Sequence, residues 1–320
     1  MIQKMTGVIS CGDINGIGPE ITLKAIDKLL QVKDINYKIV IPGNVFAEAV
    51  ELTKIDLSEK RNVEIVDIGT FELRKGEPTA ASGEASYRAL EKAFEIVSKD
   101  DQAFLVTAPI SKYAFSLAGV DFPGHTELLA EWDNSTGFVM TFLSNQLKCA
   151  LATIHIPLSK VSRDLTTEKL RMCLDTISNS LRYDFSIHQP KIAVLGLNPH
   201  AGENGLLGSE ENDTIIPLLK EFSGTVEGPF PADAFFARKQ YLNFDMFVAL
   251  YHDQGLIPFK LLTAGSGVNF TAGLNIIRTS PDHGTAHDIA WQNKADFSSM
   301  IEAIDWGHRI STNRRFIYGK

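Results

Sequence analysis

Three of the chain's eight histidines close apolar, strand-like runs. His155 follows Ala150-Leu151-Ala152-Thr153-Ile154. His200 follows Ile192-Ala193-Val194-Leu195-Gly196-Leu197 across an Asn198-Pro199 turn, and His252 ends Met246-Phe247-Val248-Ala249-Leu250-Tyr251. Imidazole is the commonest neutral metal ligand, and three imidazoles that leave a coordination position open describe a catalytic metal site. Ligands of an open α/β sheet bind beyond the carboxyl ends of its strands, where these three residues are expected. A lone histidine is more often an ordinary core or surface residue; three in the same setting point to a metalloenzyme. Asp253 and Asp233 are carboxylates that could complete or orient the site.

Other residue types at strand ends suit an anion or a proton transfer. Thr107-Ala108-Pro109-Ile110-Ser111-Lys112 leaves a strand and carries Lys112 toward the same crevice, as an acid/base or anion contact or as a plain surface charge. Gly124-His125-Thr126-Glu127 opens a helix, where backbone amides and the Thr126 hydroxyl suit a phosphate, or where Thr126 simply caps. Lys260, Asn269 and Arg278 are spread through a loop-rich stretch, 258–280, and could hold a phosphate, Arg278 in bidentate fashion. His283 and His287 lie in a polar loop, 282–290, expected to end in a helix start.

These residues need elements to hold them, and strand-like and helix-like segments alternate as in a mainly parallel sheet covered by helices. Short strands are expected at 8–10, 38–41, 63–66 and 104–106. Helices are expected from Pro19 to about residue 30, from 82 to 98 with Ser82 as cap, from 166 to 181, and from 210 to 222 opened or kinked by Pro217. The turn Gly12-Asp13-Ile14-Asn15-Gly16-Ile17-Gly18-Pro19-Glu20 joins a strand to a helix but has neither the dinucleotide-fold glycine spacing nor a Walker A ending.

Bulk properties narrow the classes. With 320 residues, 44% of them apolar, the chain can bury a large core, and the length suggests about two domains. A net charge of −8 argues against a nucleic-acid surface while allowing an anionic substrate at a few local cations. The first twenty residues lack the apolar core of a signal peptide, and no run reaches the length of a membrane span. Cys11, Cys149 and Cys173 are scattered and read as reduced thiols, so a cytoplasmic location is expected.

Taken together, Gly12-Asp-x-x-Gly-Ile-Gly-Pro-Glu20, Gly124-His-Thr-Glu127, Gly196-Leu-Asn-Pro-His-Ala-Gly-Glu203, Tyr251-His-Asp-Gln-Gly255 and Arg278-Thr-Ser-x-Asp-His-Gly-Thr-Ala286 resemble the 4-hydroxythreonine-4-phosphate dehydrogenases of vitamin B6 biosynthesis. The resemblance runs in order along nearly the whole chain. It implies an isocitrate/isopropylmalate-dehydrogenase-like α/β fold of two α/β/α domains with a cleft between them, 1–113 plus 272–320 on the cofactor side and 114–271 carrying metal, substrate and dimer contacts. It implies one divalent metal (zinc, magnesium or cobalt) on His155, His200 and His252, shared across a homodimer. Substrate contacts fall to His125, Thr126, Lys260, Asn269 and Arg278, and NAD or NADP contacts to His283, Gly284, Thr285 and Asp288.

The implied reaction is oxidation of a phosphorylated hydroxy-amino acid at C3 followed by decarboxylation, with Lys112 or Asp253 relaying the proton. Ala234 stands where threonine is usual, and 264–267 replaces a loop that often carries a basic residue. A paralogous D-threonate or D-erythronate 4-phosphate dehydrogenase is therefore the nearest rival. A three-histidine hydrolase or aldolase without nicotinamide, and a non-catalytic phospho-ligand binder, are the others.

Overall fold

The computed structural model describes residues 4–122, 124–222, 224–263 and 266–318. The chain divides into two compact units: residues up to Ser135 together with those from Leu274 onward, and Thr136–Gly273. The first crossing falls later than the expected 113/114. The helices after Lys112 stay with the first unit because Trp132 packs its ring against Tyr87 and Phe94, centroids 5.7 and 5.5 Å apart.

The chain begins with β1 (Thr6–Ser10), α1 (Gly18–Leu30), β2 (Asn36–Ile41), α2 (Gly43–Thr53), β3 (Val63–Asp67), α3 (Ala80–Val97) and β4 (Ala103–Thr107). Strands β1 and β4 are buried at every position, as expected of parallel strands covered on both faces. Pro19 fits the first turn of α1, where its missing N–H costs nothing. Helix α3 is capped by Thr79, not Ser82. Thr79 Oγ1 accepts from Ser82 N and Ser82 Oγ from Thr79 N, both at 3.1 Å, so Ser82 is the far half of a capping box. Two short helices follow, α4 (Lys112–Leu117) and α5 (His125–Trp132).

The second unit comprises β5 (Val139–Leu143), β6 (Lys148–Leu151), α6 (Leu158–Asp164), α7 (Thr167–Tyr183), β7 (Ile192–Leu195), α8 (Ile216–Leu219), β8 (Val226–Phe230), α9 (Ala232–Ala237), β9 (Met246–Ala249), α10 (His252–Thr263) and β10 (Val268–Ala272). Its strands lie in the order β10-β5-β6-β9-β7-β8, antiparallel through the first three and parallel thereafter. Its core gathers Phe142, Phe235, Phe247 and Phe259 around Cys149 and Leu195. The helix expected over 210–222 breaks into a π-turn (Glu211–Ile215), α8 and a 3₁₀ turn (Lys220–Phe222). Pro217 cannot donate one turn back, and the chain accommodates it with a wider turn just before.

The chain returns to the first unit with β11 (Arg278–Pro281) and α11 (Ser298–Tyr318), completing a parallel order β3-β2-β1-β4-β11. The stretch 258–280 is thus mostly regular, not loop-rich: Lys260 lies on α10, Asn269 on β10 and Arg278 at the start of β11. After β11 the chain runs in turns to residue 293, so the 282–290 loop ends in no helix, and α11 begins only at Ser298. Of the departures from the usual pattern, Ala234 lies on α9, whereas Ala264 and Gly265 of the altered loop lie outside the described residues. None of the helices is long and apolar enough to cross a membrane, among the described residues.

Candidate functional site

In the first unit the structure assembles a buried polar cluster from residues far apart in sequence. Arg278 at the head of β11 is 3% exposed, and His125 and Thr126 at the N terminus of α5 are 8% and 3% exposed. Arg278 donates from Nη2 and Nε to Thr107 Oγ1, at 2.8 and 3.1 Å, which fixes the plane of its guanidinium. Its Nη1 reaches Thr126 Oγ1 at 3.5 Å, and its Nη2 lies 3.3 Å from His125 Nδ1. A guanidinium can only donate, so Nδ1 must accept and the ring proton belongs on Nε2. Nε2 is buried with no protein partner.

Charge follows from the same burial. Burial first, and then the Arg278 cation, hold His125 well below the usual histidine range, so it is neutral at pH 7. Burial pulls Arg278 down to about 10, offset by the Glu127 carboxylate, and it stays cationic. The result is a fixed cation beside a buried N–H donor with no partner among the described residues, a combination that suits an oxyanion. Lys112 opens α4 behind a Ser111 cap and is exposed; its Cε would lie 3.8 Å from a Cβ at Gly124, beside His125.

The same unit joins the glycine turn to the 282–290 loop. Gly12 takes φ +68°, and a Cβ there would come within 2.3 Å of the Pro109 carbonyl oxygen; one at Gly18 would come within 2.1 Å of that of Cys11. Only glycine lets the backbone pass so closely. Ile17 N donates to Thr285 O at 3.0 Å, and Trp291 Nε1 to Ile14 O at 3.0 Å. His287 Nδ1 contacts Thr285 Oγ1 at 3.2 Å, and its Nε2 lies 3.4 Å from the fully buried Asp13 carboxylate. His287 and Asp13 thus tie the loop down, while His283, Gly284 and Asp288 stay exposed and Thr285 half-buried. Among the described residues, apart from its chain neighbours, nothing lies within 4 Å of where a Gly284 Cβ would stand.

In the second unit the three histidines emerge from the ends of the neighbouring strands β6, β9 and β7. His155 lies in a bend four residues beyond β6, and His252 is the first residue of α10 rather than the last of a strand. Their ring centroids are 6.1 Å apart. The two rings therefore adjoin, and imidazole nitrogens are donors that a divalent ion accepts. Asp253 Oδ1 sits 2.7 Å from His252 Nδ1, which gives Nδ1 the proton and leaves the Nε2 lone pair for a metal. Asp253 therefore orients the ring, and its carboxylate is committed there. A cavity of about 320 Å³ is lined by His155, His252, Asp253, Tyr251, Ile154, Ile156, Leu158 and Val161.

His200 stands apart, exposed on a 3₁₀ turn (Pro199–Gly205) whose residues His200, Ala201, Gly202, Glu203 and Asn204 all have positive φ. Such a left-handed turn is strained for non-glycine residues and must be held from outside. Buried Glu211 does this: Oε1 accepts from Leu197 N and Asn198 N, both at 2.8 Å, and Oε2 from Asn198 Nδ2 at 2.9 Å. Among the described residues no group of three or more His, Cys, Asp or Glu side chains is placed to hold a metal, and Asp233 joins none. Sequence reasoning missed Thr107, Asp13, Glu211 and Gln254. Thr107, Asp13 and Gln254 stood inside quoted motifs, but nothing local marked their long-range partners.

One parallel and one mixed α/β unit, a glycine turn clasped by a His-Gly-Thr-Ala loop and a buried Arg–His pair suit an enzyme acting on an anionic substrate, and the relatives place the chain among dehydrogenases, a class of oxidoreductase. The chain belongs to the family described as pyridoxal phosphate biosynthetic protein PdxA, whose profile matches residues 19–307. It is 39% identical to 4-hydroxythreonine-4-phosphate dehydrogenase of Prosthecochloris aestuarii, over 95% of this chain and 96% of that one. It is 37% identical to D-threonate 4-phosphate dehydrogenase of Salmonella typhimurium, over 95% and 98%. The crystal structure of 4-hydroxythreonine-4-phosphate dehydrogenase from Klebsiella pneumoniae superposes with a TM-score of 0.83 at 35% identity, covering 97% of this chain and 98% of that one.

Proposed function

We propose that the chain oxidises 4-phosphohydroxy-L-threonine at C3 with NAD or NADP and a divalent metal. The product, 2-amino-3-oxo-4-phosphooxybutanoate, decarboxylates to 3-amino-2-oxopropyl phosphate, in pyridoxal 5'-phosphate biosynthesis in the cytoplasm. The observation that carries this reading is the buried Arg278–His125 pair, with His125 Nε2 unpartnered, in a member of the PdxA family.

Arg278, His125 Nε2 and Thr126 would grip the substrate phosphate, with Lys260 and Asn269 as further contacts. Binding energy spent on this non-reacting end positions the reacting carbon. A divalent ion (zinc, magnesium or cobalt) would be held by His155, His200 and His252, and it supplies a lowered pKa at a bound hydroxyl. Asp253 keeps the His252 ring in its ligating tautomer. Lys112, beside Gly124, and Asp253 are the two candidate proton carriers. His283, Gly284, Thr285 and Asp288 would contact the nicotinamide cofactor, on a loop that Asp13 and the glycine turn hold in place. Two of the three ligand histidines adjoin within one copy and all three are solvent-facing or half-exposed, which supports a homodimer that completes the metal site from both copies.

The D-threonate 4-phosphate relative, together with Ala234, favours a second reading in which the substrate lacks the amino group. NADH formation should be followed with 4-phosphohydroxythreonine against D-threonate and D-erythronate 4-phosphates, with each metal in turn. The proposal expects the amino substrate to be preferred; preference for a sugar-acid phosphate transfers the assignment to the second reading. His200→Ala should abolish metal-dependent turnover with the fold intact, and full turnover in that variant removes His200 from the ligand set.

A further inference from the structure

The three histidine-bearing chain ends leave the sheet side by side, and the backbone ladders that align β6, β9 and β7 stop before the histidines begin. The last paired positions are Leu151 with Ala249 and Val194 with Val248, and one further bond runs from Ala152 N to Ala249 O at 2.9 Å. Beyond that point side chains take over. Thr153 Oγ1 donates to Leu250 O at 2.6 Å, tying the segment before His155 to the segment before His252. Gln254 Oε1 accepts from Leu250 N at 2.7 Å, and Gln254 Nε2 donates to Gly196 O at 2.7 Å. Gly196 lies at the root of the left-handed turn that carries His200, which Glu211 grips from the other side.

We infer that Gln254 is a positioning residue for the metal site: its amide is the strut that sets the distance between the His252 turn and the His200 turn. The inference rests on reading His155, His200 and His252 as metal ligands, whichever copy of the chain completes each site. The chemistry is specific to an amide. Leu250 N is a donor and needs an oxygen; Gly196 O is an acceptor and needs an N–H. The orientation of the Gln254 head group is therefore fixed by its partners, and glutamine spans both with one planar group. A glutamate of the same size would face Gly196 O with a second acceptor, and a methionine would satisfy neither partner. Groups hydrogen-bonded directly to metal-binding histidines change metal affinity by about 10- to 100-fold when removed. Gln254 acts one step further back, on the backbone that carries the histidines, so an effect at the lower end, about tenfold, is expected.

The test compares the parent, Gln254→Glu, Gln254→Met and His200→Ala as full-length proteins. Co²⁺ affinity is measured by calorimetric titration of the metal-stripped protein, and backbone amide exchange is measured over 194–201 and 249–256. The expected result is Co²⁺ affinity about tenfold weaker in both Gln254 variants, with faster exchange confined to those two segments and a lower thermal midpoint in a transition that stays cooperative. Gln254→Met carries no charge into the site, so it serves should Gln254→Glu fail to fold. Parental Co²⁺ affinity in a folded Gln254→Met protein overturns the inference, provided His200→Ala has lost the metal. If His200→Ala binds Co²⁺ like the parent, the ligand reading falls instead. Exchange then judges the strut alone: faster exchange in both segments upholds it, and unchanged exchange overturns it.

Discussion

His125 offers a measurement in which structure sets both the sign and the size of the effect. Its ring is buried, Arg278 stands 3.3 Å from Nδ1, and the folded protein holds it neutral well below the usual histidine range. In the unfolded chain the same ring titrates near 6.5. As pH falls below that value the unfolded state gains a proton that the folded state refuses, so the contribution to stability is full above pH 6.5 and drains away on acidification. Linkage limits the loss to about 1.4 kcal/mol per pH unit, or about 2 kcal/mol in all at pH 5, reached when the folded ring takes up no proton there. The perturbation is His125→Asn, whose amide oxygen can still accept from Arg278 while nothing titrates. Urea unfolding of both proteins between pH 7.5 and 5, in buffers free of phosphate and sulfate, isolates the term as a difference of slopes. Other titrating groups, including half-buried His308, whose range is also lowered by burial, cancel in that difference. Identical slopes would refute the argument that His125 is held neutral, and with it the tautomer that leaves Nε2 as a donor.

Two further substitutions probe the same scheme. Arg278→Met should reduce kcat/KM for the phosphorylated substrate by about 100-fold or more, since each charge-assisted bond is worth roughly 1.5–3 kcal/mol. An unphosphorylated analogue should lose far less, and equal losses on both would take Arg278 out of the phosphate site. Glu211→Ala strips the acceptor from Leu197 N, Asn198 N and Asn198 Nδ2, and should destabilise the second unit by about 2–4 kcal/mol, net of relaxation of the left-handed turn. Thermal unfolding together with amide exchange at 196–201 checks this; unchanged exchange there would mean the turn holds itself.

Much of the molecule was readable along the chain, and the misreadings have local physical causes. Apolar spacing placed α1 and α7, and short apolar runs bounded by polar residues placed β2, β3 and β4, within a few residues, because burial leaves its imprint on local sequence. Ser82 was mistaken for a cap because cap and N3 residues share chemistry in a capping box. The helix over 210–222 failed at Pro217, where a missing donor redistributes three kinds of turn that no pattern distinguishes beforehand. His252 looked like the end of a strand because the apolar run continues past the last ladder bond into the turn before α10.

By itself the sequence determined the alternation of strands and helices, the residue types available for metal, phosphate and cofactor, and their order along the chain. Those are properties of neighbours and short periods. Only tertiary structure decided how they act. Arg278 fixes the tautomer of a histidine 153 positions away; Asp13 meets His287 across the chain's length, and Gln254 reaches Gly196, 58 residues away. Protonation and orientation depend on burial and on partners brought in by folding, and neither is written in the residues beside them.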